Sequence, residues 1–308
     1  MTKERIKSNK GPFTATVTAN KRIGERFYRL RLEFAGAGAR AFAKAQPGQF
    51  VELDLSTATL PPPDSIPENL LDVSSRNILL RRPFSFCDLN SKGSKTCVEI
   101  LYCVVGPASL RMTTLSKNDL VSVIGPLGNG FSIPEGKKTA LLVSGGMGAG
   151  PLLHLAKTLK ENYAKIDVIA IVGAKTAKEL PFEMQKSQPK DFKKYKVKSL
   201  ITTDDGSLGI KGFVTDCLMD WLNKNKLTAE DTIIYSCGPE AMLARVAEIA
   251  KQHKIDCQIS MERMMACGFG VCQSCAVECR TAGSNETIYK LCCKDGPVFD
   301  SKEVVFRL

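Results

Sequence analysis

The 308-residue chain holds one tryptophan and two histidines, and no apolar run in it comes near the roughly 18 residues that a membrane-crossing helix requires. Each shortage excludes something. His154 and His253 have no His, Cys or carboxylate partner at ligand spacing, so neither a histidine metal site nor an HExxH protease is present. No Ser-His-Asp or paired-carboxylate pattern is legible, and no catalytic acid, base or nucleophile is assigned. The scarcity of stacking aromatics matters because the chain is basic, with 43 Lys and Arg against 32 Asp and Glu, a net charge of +11. Its lysines are scattered, as in KDFKKYKVK, without interleaved rings, which argues against nucleic-acid binding; between an anionic surface and anionic cofactors the charge alone does not choose. The opening MTKERIKSNKGPF has no apolar run of the secretory kind, so a soluble, cytoplasmic protein without membrane contact is expected.

What is abundant is apolar material and cysteine. Hydrophobic residues make up 44% and charged residues 24%, the balance of a folded protein, and at roughly 150 residues per domain the length allows two domains and a small third module. Six of the 12 cysteines lie between positions 267 and 293. In a reducing compartment such crowding reads as a metal or cluster site rather than as disulfides. The other six are far apart and are expected to act as small buried apolar residues.

Three regions follow along the chain. Residues 10–135 carry short alternating runs, FTATVTANKRI, FYRLRLEF, QFVELDL and TCVEILYCVV, broken by Pro and Gly, which predicts an antiparallel β-barrel. Within it, the proline-bearing stretch 56–77 predicts a long surface loop. Residues 136–254 alternate apolar runs with helical periodicity, which predicts a doubly wound parallel α/β domain. Residues 255–308 are too short and cysteine-rich for a self-sufficient core, and a bound metal centre would supply the missing stability.

The sharpest motif is Cys267-x4-Cys272-x2-Cys275 followed by Cys292 or Cys293. This is the plant-type ferredoxin spacing for a [2Fe–2S] cluster, with Gly268 and Gly270 freeing the loop to turn backbone N–H groups toward sulfur. Structural zinc prefers two short cysteine pairs, and only one is present. Spacing does not choose between Cys292 and Cys293, and Cys279 is left without a role. Gly145, Gly146, Gly148 and Pro151 lie in a strand-to-helix turn that suits a pyrophosphate, although no acidic residue stands where the usual dinucleotide fingerprint places one. Arg82, Pro83, Phe84 and Ser85 end an apolar strand, and Cys237-Gly238-Pro239 ends another at the carboxyl side of the parallel sheet, where ligands collect. Each of these is also an ordinary turn or strand end when taken alone.

Together, RRPFSFCD, ILYCVVGPAS, VIGPLGNGF, VSGGMGAGPLLHLA, TDDGSLGIKGFVTD, SCGPEAML, MERMMACGFGVCQSC and CCKDGPVFD resemble the ferredoxin-reductase family, and within it the branch of electron transfer subunits of type B dihydroorotate dehydrogenase. The resemblance spans nearly the whole chain. It implies FAD in the barrel, NAD in the α/β domain and a [2Fe–2S] cluster in the tail. By the same resemblance Arg82, Pro83, Phe84 and Ser85 contact the flavin and its phosphates, Leu101, Tyr102 and Cys103 line a second flavin strand, and Ala108 and Ser109 stand where the family has Gly-Thr. Cys103 falls where the family often has Arg. Gly145, Gly146, Gly148 and Pro151 would hold the dinucleotide phosphates, with Cys237 and Gly238 near the nicotinamide. The family's last cluster cysteine precedes x-Asp-Gly-Pro, which selects Cys293 beside Cys267, Cys272 and Cys275. The implied function is to carry electrons from dihydroorotate, oxidised on an FMN-containing catalytic subunit, through the cluster and FAD to NAD⁺ in pyrimidine biosynthesis, in a heterotetramer of two plus two. A flavin and iron–sulfur subunit of another NAD(P)H oxidoreductase complex is the alternative.

Overall fold

The structure is a computed structural model that describes residues 11–225, 227–281 and 286–307. The first residue of the expected barrel domain, 10, and the last of the chain, 308, lie outside the described residues.

The first region builds one antiparallel sheet from seven strands: β1 (Gly11–Arg22), β2 (Phe27–Phe34), β3 (Phe50–Leu53), β4 (Arg82–Ser85), β5 (Asp88–Lys92), β6 (Lys95–Cys103) and β7 (Leu120–Leu127). Their order is β4-β3-β7-β1-β2-β6-β5, and β4 returns against β6, so the sheet curls into an open barrel. The cause is legible in β2, where Leu30, Leu32 and Phe34 face the interior while Arg29, Arg31 and Glu33 face out. Period-two alternation puts one face in the core and leaves the other polar. Helix α1 (Gly36–Phe42) plugs the interior with Phe42, which stacks on Phe34 with centroids 4.0 Å apart.

The proline-bearing stretch runs over the surface as expected, with short helical turns in it. It forms two 3₁₀ turns, Pro63–Ser65 and Glu68–Leu70, and a helical turn α2 (Leu71–Ser74), with Leu70 buried and Ile66 and Val73 packed on the barrel core. Arg111, on α3 (Pro107–Met112), pins it by donating to the Ala58 and Arg76 carbonyls at 3.3 and 3.1 Å. Its prolines stiffen the chain, and these few apolar side chains suffice to seat it.

The second region contains β8 (Thr139–Gly145), α4 (Ala149–Asn162), β9 (Asp167–Ala174), the small hairpin β10 (Met184–Gln185) and β11 (Gln188–Pro189), α5 (Lys190–Lys194), β12 (Lys198–Thr203), β13 (Ile210–Lys211), α6 (Val214–Asn225), β14 (Thr232–Cys237) and α7 (Glu240–Gln252). Leu141, Val143, Ile169 and Ile171 face α6 and α7, whereas Ala140, Leu142, Ala170 and Val172 face α4. Burial on both faces is why these strands read as unbroken apolar runs.

The parallel sheet runs beyond the boundary expected at residue 254. It takes in β15 (Asp256–Ser260), parallel to β14, and then β18 (Val298–Asp300), antiparallel to β15, giving the order β13-β12-β9-β8-β14-β15-β18. Between these two strands the chain leaves the sheet to form the cysteine loop and the hairpin β16 (Ala276–Arg280) and β17 (Thr287–Leu291). No helix among the described residues is long and apolar enough to cross a membrane.

Candidate functional site

The barrel, the α/β sheet and the cysteine loop meet at one cleft. Its larger part, about 830 Å³, is walled by Arg82, Pro83 and Phe84 of β4, by Ala108 and Ser109 of α3, and by Met264, Ala266 and Ser274 of the cysteine loop. A second part, about 360 Å³, is walled by Ser85, Leu101 and Tyr102 on the barrel side and by Gly148, Pro151 and Cys237 on the sheet side. Cys103, Gly238 and Met261 line both parts, so the two form one space. All the sequence-predicted cofactor residues reach it except Gly145 and Gly146.

The geometry explains which side chains face the cleft. Of the two consecutive arginines, Arg81 turns onto β7, donating to Ser122 O and Oγ at 2.9 Å, with Asp54 at 3.4 Å. Arg82 points the other way, held by the Leu80 and Arg81 carbonyls at 2.7 and 3.1 Å, and stays available to an anion. The Ser109 hydroxyl accepts from the N–H groups of Val105 and Gly106 at 2.9 and 3.2 Å and donates to the Gly106 carbonyl at 3.1 Å. It therefore shapes the turn into α3 rather than standing free.

On the sheet side, the glycine turn after β8 and the Cys237-Gly238-Pro239 turn after β14 are pressed together. A β-carbon at Gly148 would lie 2.0 Å from the Cys237 carbonyl oxygen, and one at Gly145 would lie 2.9 Å from Pro239 Cδ. Gly145 thus serves loop packing beneath the cleft. Burial pushes the Cys237 thiol up to about 12, so it stays protonated at neutral pH and presents a small uncharged surface rather than a nucleophile.

The cysteines approach in two pairs. The N–H groups of Val271 and Cys272 point at Cys267 Sγ at 3.4 and 3.5 Å, and the N–H of Cys293 points at Cys275 Sγ at 3.4 Å. Gly268 and Gly270, at φ of 76° and 89°, make the turn that aims these donors. Hydrogen bonds from Ser274, reinforced by Cys267, draw Cys272 down to about 6, and backbone donors outweigh burial to lower Cys267 as well. Cys292 turns away: its thiol faces the Met261 carbonyl at 3.4 Å, and burial holds it up at about 12. Cys279 is packed into the core on β16. Among the described residues no three His, Cys, Asp or Glu side chains close on a single point.

Residues 262–305 match the iron-sulfur cluster binding domain of dihydroorotate dehydrogenase B, and residues 142–248 match the oxidoreductase NAD-binding domain. The electron transfer subunit of dihydroorotate dehydrogenase B (NAD⁺) from Caldanaerobacter subterraneus subsp. tengcongensis is 34% identical over 292 residues, covering 95% of this chain and 98% of the relative. The chain belongs to the family of dihydroorotate dehydrogenase B electron transfer subunits. The family member from Listeria innocua is 39% identical over 238 residues, 76% of this chain and 85% of the relative. Among solved structures, an NADH-dependent reduced ferredoxin-NADP oxidoreductase superposes with a TM-score of 0.71 at 27% identity, covering 94% and 89% of the two chains. Phthalate dioxygenase reductase shares the fold, with a TM-score of 0.58 at 15% identity, covering 92% and 78%.

The residues present fit the groups this family implies. A two-iron cluster takes two thiolates per iron, and the backbone contacts that set Cys272 beside Cys267 Sγ and Cys293 beside Cys275 Sγ suit it. An open cleft flanked by Arg82 on one side and a helix-opening glycine turn on the other suits a dinucleotide and a flavin.

Two features of this electron transfer subunit site carry no motif of their own in the sequence. Met261, Arg263 and Met265 line both parts of the cleft, within a motif used only for the resemblance, and Arg263 grips Glu240 bidentately at 2.9 and 3.0 Å. Glu52 on β3 is wholly buried, its two oxygens lack a hydrogen-bond partner, and it abuts Gly268 of the cysteine loop. Burial raises its pKa to about 7, against the pull of Arg82 and Arg81. His154 is buried on α4, where burial lowers its pKa to about 4.

Proposed function

We propose that this chain passes electrons from dihydroorotate oxidation to NAD⁺. In this reading FAD lies against β4, β6 and α3, NAD lies at the turns after β8 and β14, and a [2Fe–2S] cluster is held by Cys267, Cys272, Cys275 and Cys293. A partner subunit carrying FMN oxidises dihydroorotate to orotate, in a complex of two subunits of each kind, as a step of pyrimidine synthesis in the cytoplasm. The observation that carries the reading is the single cleft whose walls come from all three cofactor regions.

A flavin bound there would exchange electrons in pairs with a nicotinamide and singly with an iron–sulfur cluster, the chemistry that joins the two carriers. The chain's own residues position and insulate. Arg82 supplies a fixed positive charge for phosphate oxygens. The glycine turn offers backbone N–H groups at the head of α4, whose dipole favours an anion. The protonated Cys237 thiol keeps charge away from the nicotinamide side. The N–H groups around Cys267 and Cys275 stabilise negative sulfur. Oxidation of dihydroorotate releases two electrons and two protons; NAD⁺ takes both electrons with one proton as a hydride, and the other proton goes to solvent.

Met264, Phe269 and Val271 are exposed apolar side chains around the Cys267–Cys272 turn, with Met264 89% exposed. They support docking of the partner subunit on the cluster side, since exposed apolar clusters mark interaction sites. The test is co-purification with an FMN-containing dihydroorotate-oxidising subunit and an assay of orotate formation with NAD⁺. NAD⁺-dependent orotate formation that requires this chain is expected. NADH-driven reductase activity that proceeds unchanged whether or not such a partner is present would place the chain in another NAD(P)H oxidoreductase complex.

A further inference from the structure

Helix α4 does two things at once. Its capping residue Gly148 and its first turn, with Gly150 and Pro151, line the cleft, and one stripe of its surface runs down the barrel wall. The stripe is Gly150, His154 and Lys157, spaced i, i+4, i+7, the period that keeps side chains on one helix face. Gly150 lies against Leu101 and Cys87, with a notional β-carbon 3.9 and 4.0 Å from theirs. The His154 ring meets the Phe86 ring edge-on, with centroids 6.3 Å apart. Lys157 ends the stripe at Asp88.

The first two contacts are apolar and smooth, and could slide. The third cannot. The buried Lys157 ammonium donates to Asp88 Oδ1 at 2.7 Å, to the Leu89 carbonyl at 2.6 Å and to Asn90 Oδ1 at 2.6 Å, using all three of its protons. Asp88 in turn accepts from the Leu89 N–H at 2.7 Å, from Asn90 Nδ2 at 3.2 Å and from the Tyr195 hydroxyl at 3.2 Å. Burial would raise the Asp88 pKa, but Lys157 outweighs it and the carboxyl lies below its usual range. Tyr195 closes α5, so barrel, α4 and α5 are joined at one carboxylate. Beside it Arg29 of β2 holds Asp191 of α5 bidentately at 2.8 and 2.6 Å.

A fully satisfied buried ion pair specifies one geometry more than it adds stability, because apolar residues would fill the same space at least as well. Seven residues at 1.5 Å per residue place Lys157 about 10 Å along α4 from Gly150, so the pair fixes the register of the helix head against β6.

We propose that Asp88 and Lys157 are positioning residues: an interdomain lock that sets the nicotinamide side of the cleft against the flavin strand, and so governs hydride transfer between NADH and FAD without governing FAD retention. The proposal rests on the reading that FAD and NAD meet in this cleft.

The test uses the FAD- and iron-loaded chain and three variants: Lys157→Met, the double change Asp88→Asn with Lys157→Met, and Tyr195→Phe. The double change leaves no unpaired buried charge, and Asn keeps the acceptor for the Leu89 N–H. Tyr195→Phe removes two hydrogen bonds, one to Asp88 and one from the exposed Lys194, at a half-buried ring and leaves the fold intact. Rapid-mixing absorbance gives the flavin reduction rate at saturating NADH, the NADH dissociation constant and the long-wavelength charge-transfer band of reduced flavin with NAD⁺. Expected for the ion-pair variants are full FAD and iron content, an NADH affinity within about twofold of wild type, a reduction rate at least tenfold slower and loss of the charge-transfer band. Tyr195→Phe should slow reduction two- to threefold. Hydrogen exchange of the amides of residues 150–157 should speed up without NADH present. Wild-type reduction rates and charge-transfer absorbance in whichever of these variants fold with full cofactor content would overturn the proposal. Flavin in the unaltered chain that NADH fails to reduce would instead overturn the functional reading, a result distinct from equal rates in wild type and variants.

Discussion

Gly148 sits so close to Cys237 that a β-carbon on it would come within 2.0 Å of the Cys237 carbonyl oxygen, and both sides of that contact are backbone. No rotamer change relieves it, so Gly148→Ala must push the two nucleotide turns apart. Overpacking of this kind costs about 1–3 kcal/mol. The expected result is a lower denaturation midpoint and at least tenfold weaker NADH binding with FAD and iron content unchanged, read by urea titration and calorimetry. Wild-type NADH affinity would show that the turns do not form the nucleotide site.

The two adjacent cysteines give opposite outcomes. Cys293→Ser and Cys272→Ser should each abolish the cluster, seen as loss of iron and visible absorbance after anaerobic preparation. Cys292→Ser should retain about two irons per chain, because its thiol faces the Met261 carbonyl rather than the other cysteines. Its cost is stability alone, about 1 kcal/mol for a poorer fit in a buried site. Iron retained in Cys293→Ser would reverse the assignment.

Two consecutive arginines separate binding from folding. Arg82→Ala should weaken FAD binding by about 1.5–3 kcal/mol, the worth of a hydrogen bond to a charged group, or roughly 10- to 150-fold. Arg81→Ala should leave FAD affinity near wild type and lower stability instead, since that side chain joins β7 through Ser122. Flavin fluorescence on titration of the apoprotein measures both.

Acid should destabilise the fold through His154. Its folded pKa of about 4 lies below the ordinary histidine value of 6.5, so between these limits the unfolded chain binds the extra proton. Stability from this group is complete above pH 6.5 and is lost as pH falls toward 4, by roughly 3 kcal/mol at most. His154→Leu removes a ring whose Nδ1 has no hydrogen-bond partner, so it should flatten this acid limb at little cost near pH 7. Urea unfolding at pH 4.5 and 7 in both proteins decides it; an unchanged slope would mean that other groups dominate.

What the sequence revealed was local chemistry. The cysteine spacing, the turn after β8 and Arg82–Ser85 are each local signals, and folding brings Arg82–Ser85, Gly148 and Pro151 to one cleft, with Ala266 and Ser274 of the cysteine loop on its wall. What it hid were relations between distant positions. Lys157 and Asp88 are 69 residues apart, and neither resembles anything but a surface charge until the helix face and the strand meet. Glu52 occupies a strand that otherwise reads as apolar, and only the approach of Gly268 shows why it is buried. Gly145 stands in a turn expected to cradle phosphate, and the structure adds that its lack of a side chain admits Pro239. The strand at Asp256–Ser260 fell into the tail by composition, since cysteine crowding follows it, although its pairing with β14 places it in the sheet.

The tail is sewn in at both ends. The chain leaves the sheet after β15 and returns as β18 beside it, while the Asn129 N–H donates to the Gly296 carbonyl at 2.6 Å and Asn129 Nδ2 to the Asp295 backbone carbonyl at 2.9 Å. An engineer who wished to transplant the iron-bearing cassette into another reductase could not cut after α7 and paste the remainder. The graft would need the recipient's outermost strand replaced as well, and a barrel linker shaped to grip it.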